Sequence, residues 1–396
     1  MTRSPVARRV RLNTTDVLLF KLDVHRWSWE SHNRTPPVVT LFLPALEQTK
    51  SLYAGKRGES FVTRVATLAY SACTNESDRV VLDVGASEGY YSMIAAAHGC
   101  GVFAFDLIRG CARMFEAARV ASALNINSTA FAANRIRYLL RPLGSGGRVP
   151  TEGDSGCGTA LISHMTHAKN VSDEANNVRD EDSLSVSPLG GDELRALLAP
   201  YRSVAFCKID VEGAELVALV ALLPVLPLVQ HLVVEVTPNL WLKYNHTSYT
   251  HGFGILAGLL DNDGFGAART STGCTFFRSK ELFSHLRRDC RHDRPCGWGN
   301  RVFYREGQID IWFARDKALF LRASPRITGF LGRGAGAPYM DDPHGKNLTC
   351  PDPNSMYSRP RHHYRNVAEA EAARVDKCTH VCGSHPGAFI LHSKTA

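Results

Sequence analysis

No stretch of this chain approaches the roughly eighteen consecutive apolar residues that a membrane-spanning helix needs, so no span is expected. A long basic run interleaved with aromatics is also missing. Lysine and arginine outnumber aspartate and glutamate by 46 to 38, a net charge of +8, but the cations are scattered. The local clusters, such as Arg287-Arg288 and Arg359 to Arg365, do not make a continuous patch, and nucleic acid is not an expected partner. The N-terminus holds no acid before Asp16, and its apolar stretch Val17 to Phe20 is too short for a signal-peptide core. There is no internal repeat and no G-x-G-x-x-G, which disfavours a pyrophosphate-bearing dinucleotide. Metal ligands are sparse as well. Cys378 and Cys382 with His385 lack the second pair that a structural zinc site requires, so no metal site is expected.

What is present has the proportions of a globular protein: 396 residues, of which 44% are hydrophobic and 21% charged, enough for a large core. Seven of the sixteen asparagines stand in N-x-S/T sequons, at Asn13, Asn33, Asn75, Asn127, Asn170, Asn245 and Asn347. Serine and threonine make up about 13% of the chain, so chance alone gives roughly two. Six of the eleven cysteines fall in the last third. Sequon excess and crowded cysteines together favour a glycoprotein of the secretory-pathway lumen, stapled by disulfides. The alternative is the cytoplasm or an organelle, with reduced thiols and an Arg-rich leader of transit-peptide character. Cys207, inside an apolar run, reads as a buried thiol in either case.

Hydrophobic patterning divides the chain into an N-terminal segment (1–60), an alternating region (61–317) and an irregular tail (318–396) rich in Gly, Pro, Arg and His. In the alternating region the short apolar runs "VVLDV", "GVFAFD", "VAFCKID", "HLVVEV", "FGAART" and "QIDIWFA" read as buried strands, and "TAFAAN" as a further one. Helical stretches lie between them, including "GYYSMIAAAHG", residues 109–123, "DELRALLAPY" capped by Asp192, "GAELVALVALL" and "GILAGLLDNDG". Strands separated by helices of that length mean βαβ units and a mainly parallel α/β sheet. Residues 144–191 lose all periodicity and read as a long insertion.

The segment "VVLDVGASEGYYSM" admits two chemistries. Gly85-Ala86-Ser87-Glu88-Gly89 spells G-x-S-x-G, the turn that presents a nucleophilic serine in many hydrolases. Asp210 and His251 follow in a workable order, but no H-G-G-G oxyanion loop precedes it, and Asp83 has no job in such an elbow. In a cofactor loop each part has work. Gly85 and Gly89 allow a tight turn and close backbone approach at a helix N-terminus. Asp83 can accept from a cationic amine, and Asp106, ending the second strand, can hold ribose hydroxyls.

With "VAFCKIDVEGAELVALVAL" and "HLVVEVTP", this segment resembles the FkbM family of S-adenosylmethionine-dependent methyltransferases over residues 60–317, most specifically in the block Lys208-Ile-Asp-Val-Glu-Gly-Ala-Glu215. The resemblance implies a seven-stranded, mainly parallel, Rossmann-like class I methyltransferase fold, with helices on both faces and an antiparallel last strand. It also implies S-adenosyl-L-methionine as cofactor and O-methylation of a sugar or other small-molecule or glycan hydroxyl. Matched residue by residue, Asp83, Gly85, Ala86, Ser87 and Gly89 fall on the cofactor loop, Asp106 on the ribose acid, and Asp210 with Glu212 on the acidic pair after the fourth strand. Glu88 replaces a usually apolar residue, and the insertion and tail fall outside the pattern.

An alcohol must lose its proton as it attacks a methyl group, and a carboxylate at the C-terminal end of a parallel strand is well placed to take it. Asp210 is the first choice for base or substrate anchor and Glu212 the second, with Lys208 available to pair with either; Glu215, at a helix start, suits a structural role. Two readings from other classes stay open: a catalytically inactive Rossmann-like binding module, and a serine hydrolase using Ser87.

Overall fold

A computed structural model describes residues 7–12, 15–25, 38–44, 60–73, 78–125, 135–146, 149–150, 157, 185–243, 247–271, 273–287, 290 and 308–328. All seven sequon asparagines, the "TAFAAN" stretch, most of the 144–191 insertion and residues 329–396 lie outside them.

The chain opens with three strands, β1 (Ala7–Leu12), β2 (Thr15–His25) and β3 (Val38–Pro44), paired antiparallel in that order. Sequence reading left residues 1–60 without structure. The period that marks β2 is nevertheless there, since Phe20, Leu22 and Val24 alternate with Lys21, Asp23 and His25.

The larger unit follows as α1 (Ser60–Tyr70), β4 (Arg79–Val84), α2 (Tyr90–Ala97), β5 (Gly101–Phe105), α3 (Arg109–Asn125) and β6 (Ile136–Leu139). A two-residue pair, β7 (Val149–Pro150) and β8 (Ser185–Val186), closes the base of the insertion antiparallel. Then come α4 (Gly191–Leu198), β9 (Ser203–Ile209), α5 (Glu215–Leu222), β10 (His231–Val236), α6 (Pro238–Lys243) and α7 (Tyr249–Asp261). β11 (Ala267–Thr270), β12 (Thr275–Phe276), α8 (Ser279–Arg287), β13 (Ile309–Ala314) and α9 (Lys317–Thr328) complete it.

Eight strands form one sheet in the order β12-β11-β13-β10-β9-β4-β5-β6. β6, β5, β4, β9 and β10 run parallel, whereas β13 enters antiparallel between β10 and β11. This is the expected mixed α/β, Rossmann-like sheet, seven strands with an antiparallel last one, extended by the short edge strand β12. Alternation along each strand separates the two faces. Leu82, Val84, Cys207, Ile209, Leu232 and Val234 pack beneath α4, α5 and α7, while Val81, Phe206, Val233 and Trp312 pack beneath α1, α2 and α9. Burying each such side chain stabilises the fold by about 1.5–3 kcal/mol.

Three boundaries differ from the sequence reading. The third parallel strand is β6, immediately after the expected "TAFAAN". Gly190, not Asp192, caps α4, and no side chain bonds its first turn; Asp192 lies inside that turn, where its charge still favours the helix dipole. The tail also begins with order, because α9 buries Phe320 and Ala323 against the sheet.

Two disulfides join described residues, Cys73–Cys100 and Cys111–Cys157, and Cys274 and Cys290 are disulfide-bonded as well. Cys207 is a free, buried thiol, as its apolar run implies.

Candidate functional site

From β4 the chain moves outward through β5 and β6, then returns to place β9 on the other side of β4. Such a reversal leaves a crevice at the carboxyl ends of the two central strands. Two loops meet there. Asp210 N–H donates to the Val84 carbonyl at 2.9 Å, and a Cβ on Gly85 would stand 1.7 Å from the Asp210 carbonyl oxygen. Only glycine permits that approach, and its φ of +80° independently favours glycine. At the other end of the loop, a Cβ on Gly89 would enter the Phe115 ring at 2.0 Å. The sequence-predicted loop Asp83–Gly89 and the block Asp210–Glu215 are thus one junction.

Hydrogen bonds hold the first loop shut. Ser87 sits at φ +49°, a left-handed conformation that costs a non-glycine residue roughly 1–2 kcal/mol. Its N–H donates to Asp106 Oδ2 at 2.6 Å, its carbonyl accepts from Tyr138 Oη at 3.1 Å, and its hydroxyl donates to Glu88 Oε2 at 2.7 Å. The Cys157 sulfur lies 3.3 Å from that hydroxyl and the Cys111 sulfur 3.9 Å away, so the disulfide rests on the loop. Among the described residues no imidazole is a partner of Ser87. His251 is exposed at the start of α7, where its N–H bonds Ser248.

Asp106 clamps the backbone on both sides of the crevice loop. One of its oxygens accepts from Leu107 and Ile108 N–H at 2.7 and 2.9 Å, and the other from Ser87 N–H. A carboxylate has about four acceptor sites, so close to one remains for a hydroxyl. Burial pushes its carboxyl pKa up despite these bonds.

Asp83 is buried, and Ser92 satisfies one oxygen through its N–H at 3.0 Å and its hydroxyl at 2.6 Å. The other oxygen, Oδ1, is buried with no hydrogen-bond partner. An orphaned carboxylate oxygen costs free energy unless a donor reaches it. Burial raises its pKa, and the Lys208 charge opposes that rise.

The second loop is built differently. Lys208 and Asp83 are register partners on one face, with Val233 of β10 in register on the far side of Lys208. Lys208 Nζ donates to Asp210 Oδ2 at 2.5 Å and lies over the Tyr91 ring at 5.0 Å. Asp210 and Glu235 bear on each other's charge. Burial works to raise the Asp210 pKa, but the Lys208 charge and the interactions with Lys208 and Glu235 hold it below the usual carboxylate range. Glu235 moves far the other way, through burial and then the Asp210 charge. Glu212 stands at φ +50°, half-buried, with no hydrogen-bond partner among the described residues; burial and the charge on Asp210 raise its pKa, and the Lys208 charge opposes the rise. Glu215 is fully buried and accepts from Gly213 N–H, Thr237 Oγ1 and Trp241 Nε1 at 2.7, 2.7 and 2.6 Å. It pins α5 to the chain after β10, the structural service its helix-start position implied.

Sequence reasoning passed over Glu235, the one acid in "HLVVEV", and the side chains of Ser92 and Tyr138. A lone carboxylate in a buried strand was the available signal for Glu235. Among the described residues no group of three or more His, Cys, Asp or Glu side chains is arranged to hold a metal ion, and no helix there is long and apolar enough to cross a membrane. No protein-family model matches the chain, and no curated protein matches it.

Proposed function

We propose that the chain is an S-adenosylmethionine-dependent methyltransferase that O-methylates a hydroxyl of a carbohydrate or another small metabolite. The observation that carries this reading is the unpartnered, buried Oδ1 of Asp83 beneath a loop that runs at once into a helix N-terminus, beside the ribose-acid position at Asp106. An amine-bearing, ribose-bearing ligand satisfies both carboxylates together. When bound, the cofactor supplies an electrophilic methyl group on a sulfonium. The chain's part is to fix the ligand on the Asp83–Gly89 loop, to orient the acceptor hydroxyl over the end of β9, and to take its proton there.

Titration of the folded protein with S-adenosylhomocysteine in a calorimeter tests the reading. Saturable one-to-one binding is expected, and its absence refutes the proposal. Binding without transfer to any of a panel of glycan acceptors would favour an inactive binding module instead. A fluorophosphonate that labels Ser87 would favour the hydrolase, although the hydroxyl of Ser87 faces a carboxylate rather than an imidazole.

The disulfides and the sequon excess support passage through the endoplasmic reticulum. A mobility shift on endoglycosidase treatment of protein from a eukaryotic secretory host is the expected result.

A further inference from the structure

We propose that the Cys111–Cys157 disulfide is a thiol–disulfide exchange site, open to a dithiol reductant, and that its cleavage loosens the Asp83–Gly89 loop against which it lies. The effect on ligand affinity rests on the methyltransferase reading; the exchange site and the loosening stand without it.

The bond ties α3 to a residue 46 positions further on, and its two sulfurs converge on one side chain. The Cys157 sulfur lies 3.3 Å from Ser87 Oγ and the Cys111 sulfur 3.9 Å from the same oxygen. Behind that hydroxyl stands the buried Glu88, whose Oε2 accepts from it at 2.7 Å and lies 4.0 Å from the Cys157 sulfur. A disulfide carries no hydrogen, so while the bond is intact Ser87 meets no competition from sulfur for that carboxylate. Reduction creates an S–H on Cys157, a new donor beside the same oxygen. It also removes the covalent tie that holds this sulfur over the hydroxyl. Ser87 has little margin against either change. Its left-handed φ of +49° costs free energy, and the hydroxyl bond is part of what offsets that cost.

The two sulfurs differ in access. Cys111 is fully buried, whereas Cys157 is half-buried. An incoming thiolate therefore attacks the Cys157 sulfur. A sulfur–sulfur bond to the reductant forms, and the bond to Cys111 breaks with its electron pair leaving on the Cys111 sulfur, which takes a proton. The second thiol of the reductant then attacks its own sulfur in the mixed disulfide and releases Cys157, which takes the other proton. The protein gains two electrons and two protons, and the dithiol becomes a disulfide. Both residues of the Cys73–Cys100 bond are buried, so that bond offers no such entry.

A ligand that needs the closed loop binds the oxidised form better, and by reciprocity the bound ligand protects the disulfide. For this two-electron couple a tenfold difference in affinity lowers the reduction potential by about 30 mV.

The full chain is equilibrated at neutral pH in graded mixtures of reduced and oxidised dithiothreitol, quenched with acid, alkylated and mapped by peptide mass spectrometry. Cys111 and Cys157 should become alkylated at a less reducing mixture than Cys73 and Cys100. Hydrogen exchange on the same samples reads the loop. The Ser87 N–H, bonded to Asp106 Oδ2, should exchange about tenfold faster once the Cys111–Cys157 bond is open, with the β10–β13 ladder unchanged. Earlier opening of Cys73–Cys100, an unchanged Ser87 rate, or equal acceleration in the β10–β13 ladder would each overturn the proposal. The double variant Cys111→Ser, Cys157→Ser should show the fast Ser87 rate without reductant; if it does not fold, the wild-type titration alone decides. S-adenosylhomocysteine should bind the oxidised form about five- to tenfold more tightly than the reduced form, and equal affinities would overturn the link to the ligand. Failure of the oxidised protein to bind it at all would instead refute the methyltransferase reading, and the Ser87 rate would still decide the loop.

Discussion

The two loops at the crevice share a backbone device and use it for different ends. After β4, Ser87 is held at φ +49°; after β9, Glu212 is held at φ +50°. Ser87 recovers the cost through its N–H, its carbonyl and its hydroxyl, each bonded within the chain. Glu212 makes no such bond among the described residues. A strained residue whose polar groups are all satisfied makes a rigid wall against which a ligand can rest. Among the described residues the same conformation is therefore tied into side-chain hydrogen bonds at one strand end and not at its neighbour.

The most severe way to break the comparison is to separate the loops. Gly85→Ala would set a Cβ against the Asp210 carbonyl in a left-handed conformation, and it should destabilise the fold by about 3–5 kcal/mol in denaturant unfolding. Gly146→Ala, with φ +130° but nothing within 4 Å of its Cβ, isolates the backbone cost and should lose only about 1–2 kcal/mol. Equal losses at both positions would mean that the loops do not constrain each other.

A reference away from both loops comes next, at the far end of β10. His231 is buried and its Nδ1 accepts from Trp312 Nε1 at 3.3 Å, which requires a neutral ring. Burial lowers its pKa from 6.5 to about 4, against the opposing charge of Asp316. The unfolded chain thus binds more protons between these values, so the stability contribution is complete above about pH 6.5 and is lost as pH falls toward 4. The loss should amount to about 3 kcal/mol and should flatten in His231→Gln. Cofactor affinity should be the same in that variant, as neither loop is touched.

Asp106→Asn and Asp210→Asn then sharpen the division of labour. The first keeps an acceptor for Leu107 and Ile108 but turns a donor toward Ser87 N–H, and it should weaken cofactor binding by about 1.5–3 kcal/mol in calorimetry. The second should leave that affinity within about twofold and reduce turnover, since the charge that orients the acceptor side is gone. A single variant that lost both would merge the two roles.

The smallest effect is a contrast in sign. Glu212→Gly relieves the left-handed strain and forfeits no hydrogen bond to a described residue, so it should raise stability by about 1 kcal/mol while reducing turnover. Ser87→Gly gains the same relief but loses the hydroxyl bond to Glu88, so it should be near neutral. Thermal unfolding of the pair checks both.

Much of this junction could be read in the residues. Short apolar runs that each end in an acid placed Asp83, Asp106 and Asp210 at strand ends, and glycine spacing placed the loop between them. What escaped was whatever depends on neighbours far apart in sequence. Nothing local in "HLVVEV" says that Glu235 will lie beside Asp210, because strand order decides it. Nothing near Asp106 says that the Ser87 amide, 19 residues away, will take one of its oxygens. Cys111 and Cys157 are separated by 46 residues, and only folding brings their sulfurs against Ser87. The N-terminal strands were missed for another reason: their alternation is plain, but they precede the βα pattern that organised the rest.

The Cys73–Cys100 bond joins residues 27 apart and encloses β4, the whole Asp83–Gly89 loop and α2 in one covalent ring. A peptide bond cut anywhere inside that ring opens a circle instead of dividing a line, so both ends stay on one molecule until a reductant is added. Damage to the loop by a protease would then pass unseen on a non-reducing gel and appear on a reducing one. Reconnection of the two ends remains a local event, with the partners held at each other's side.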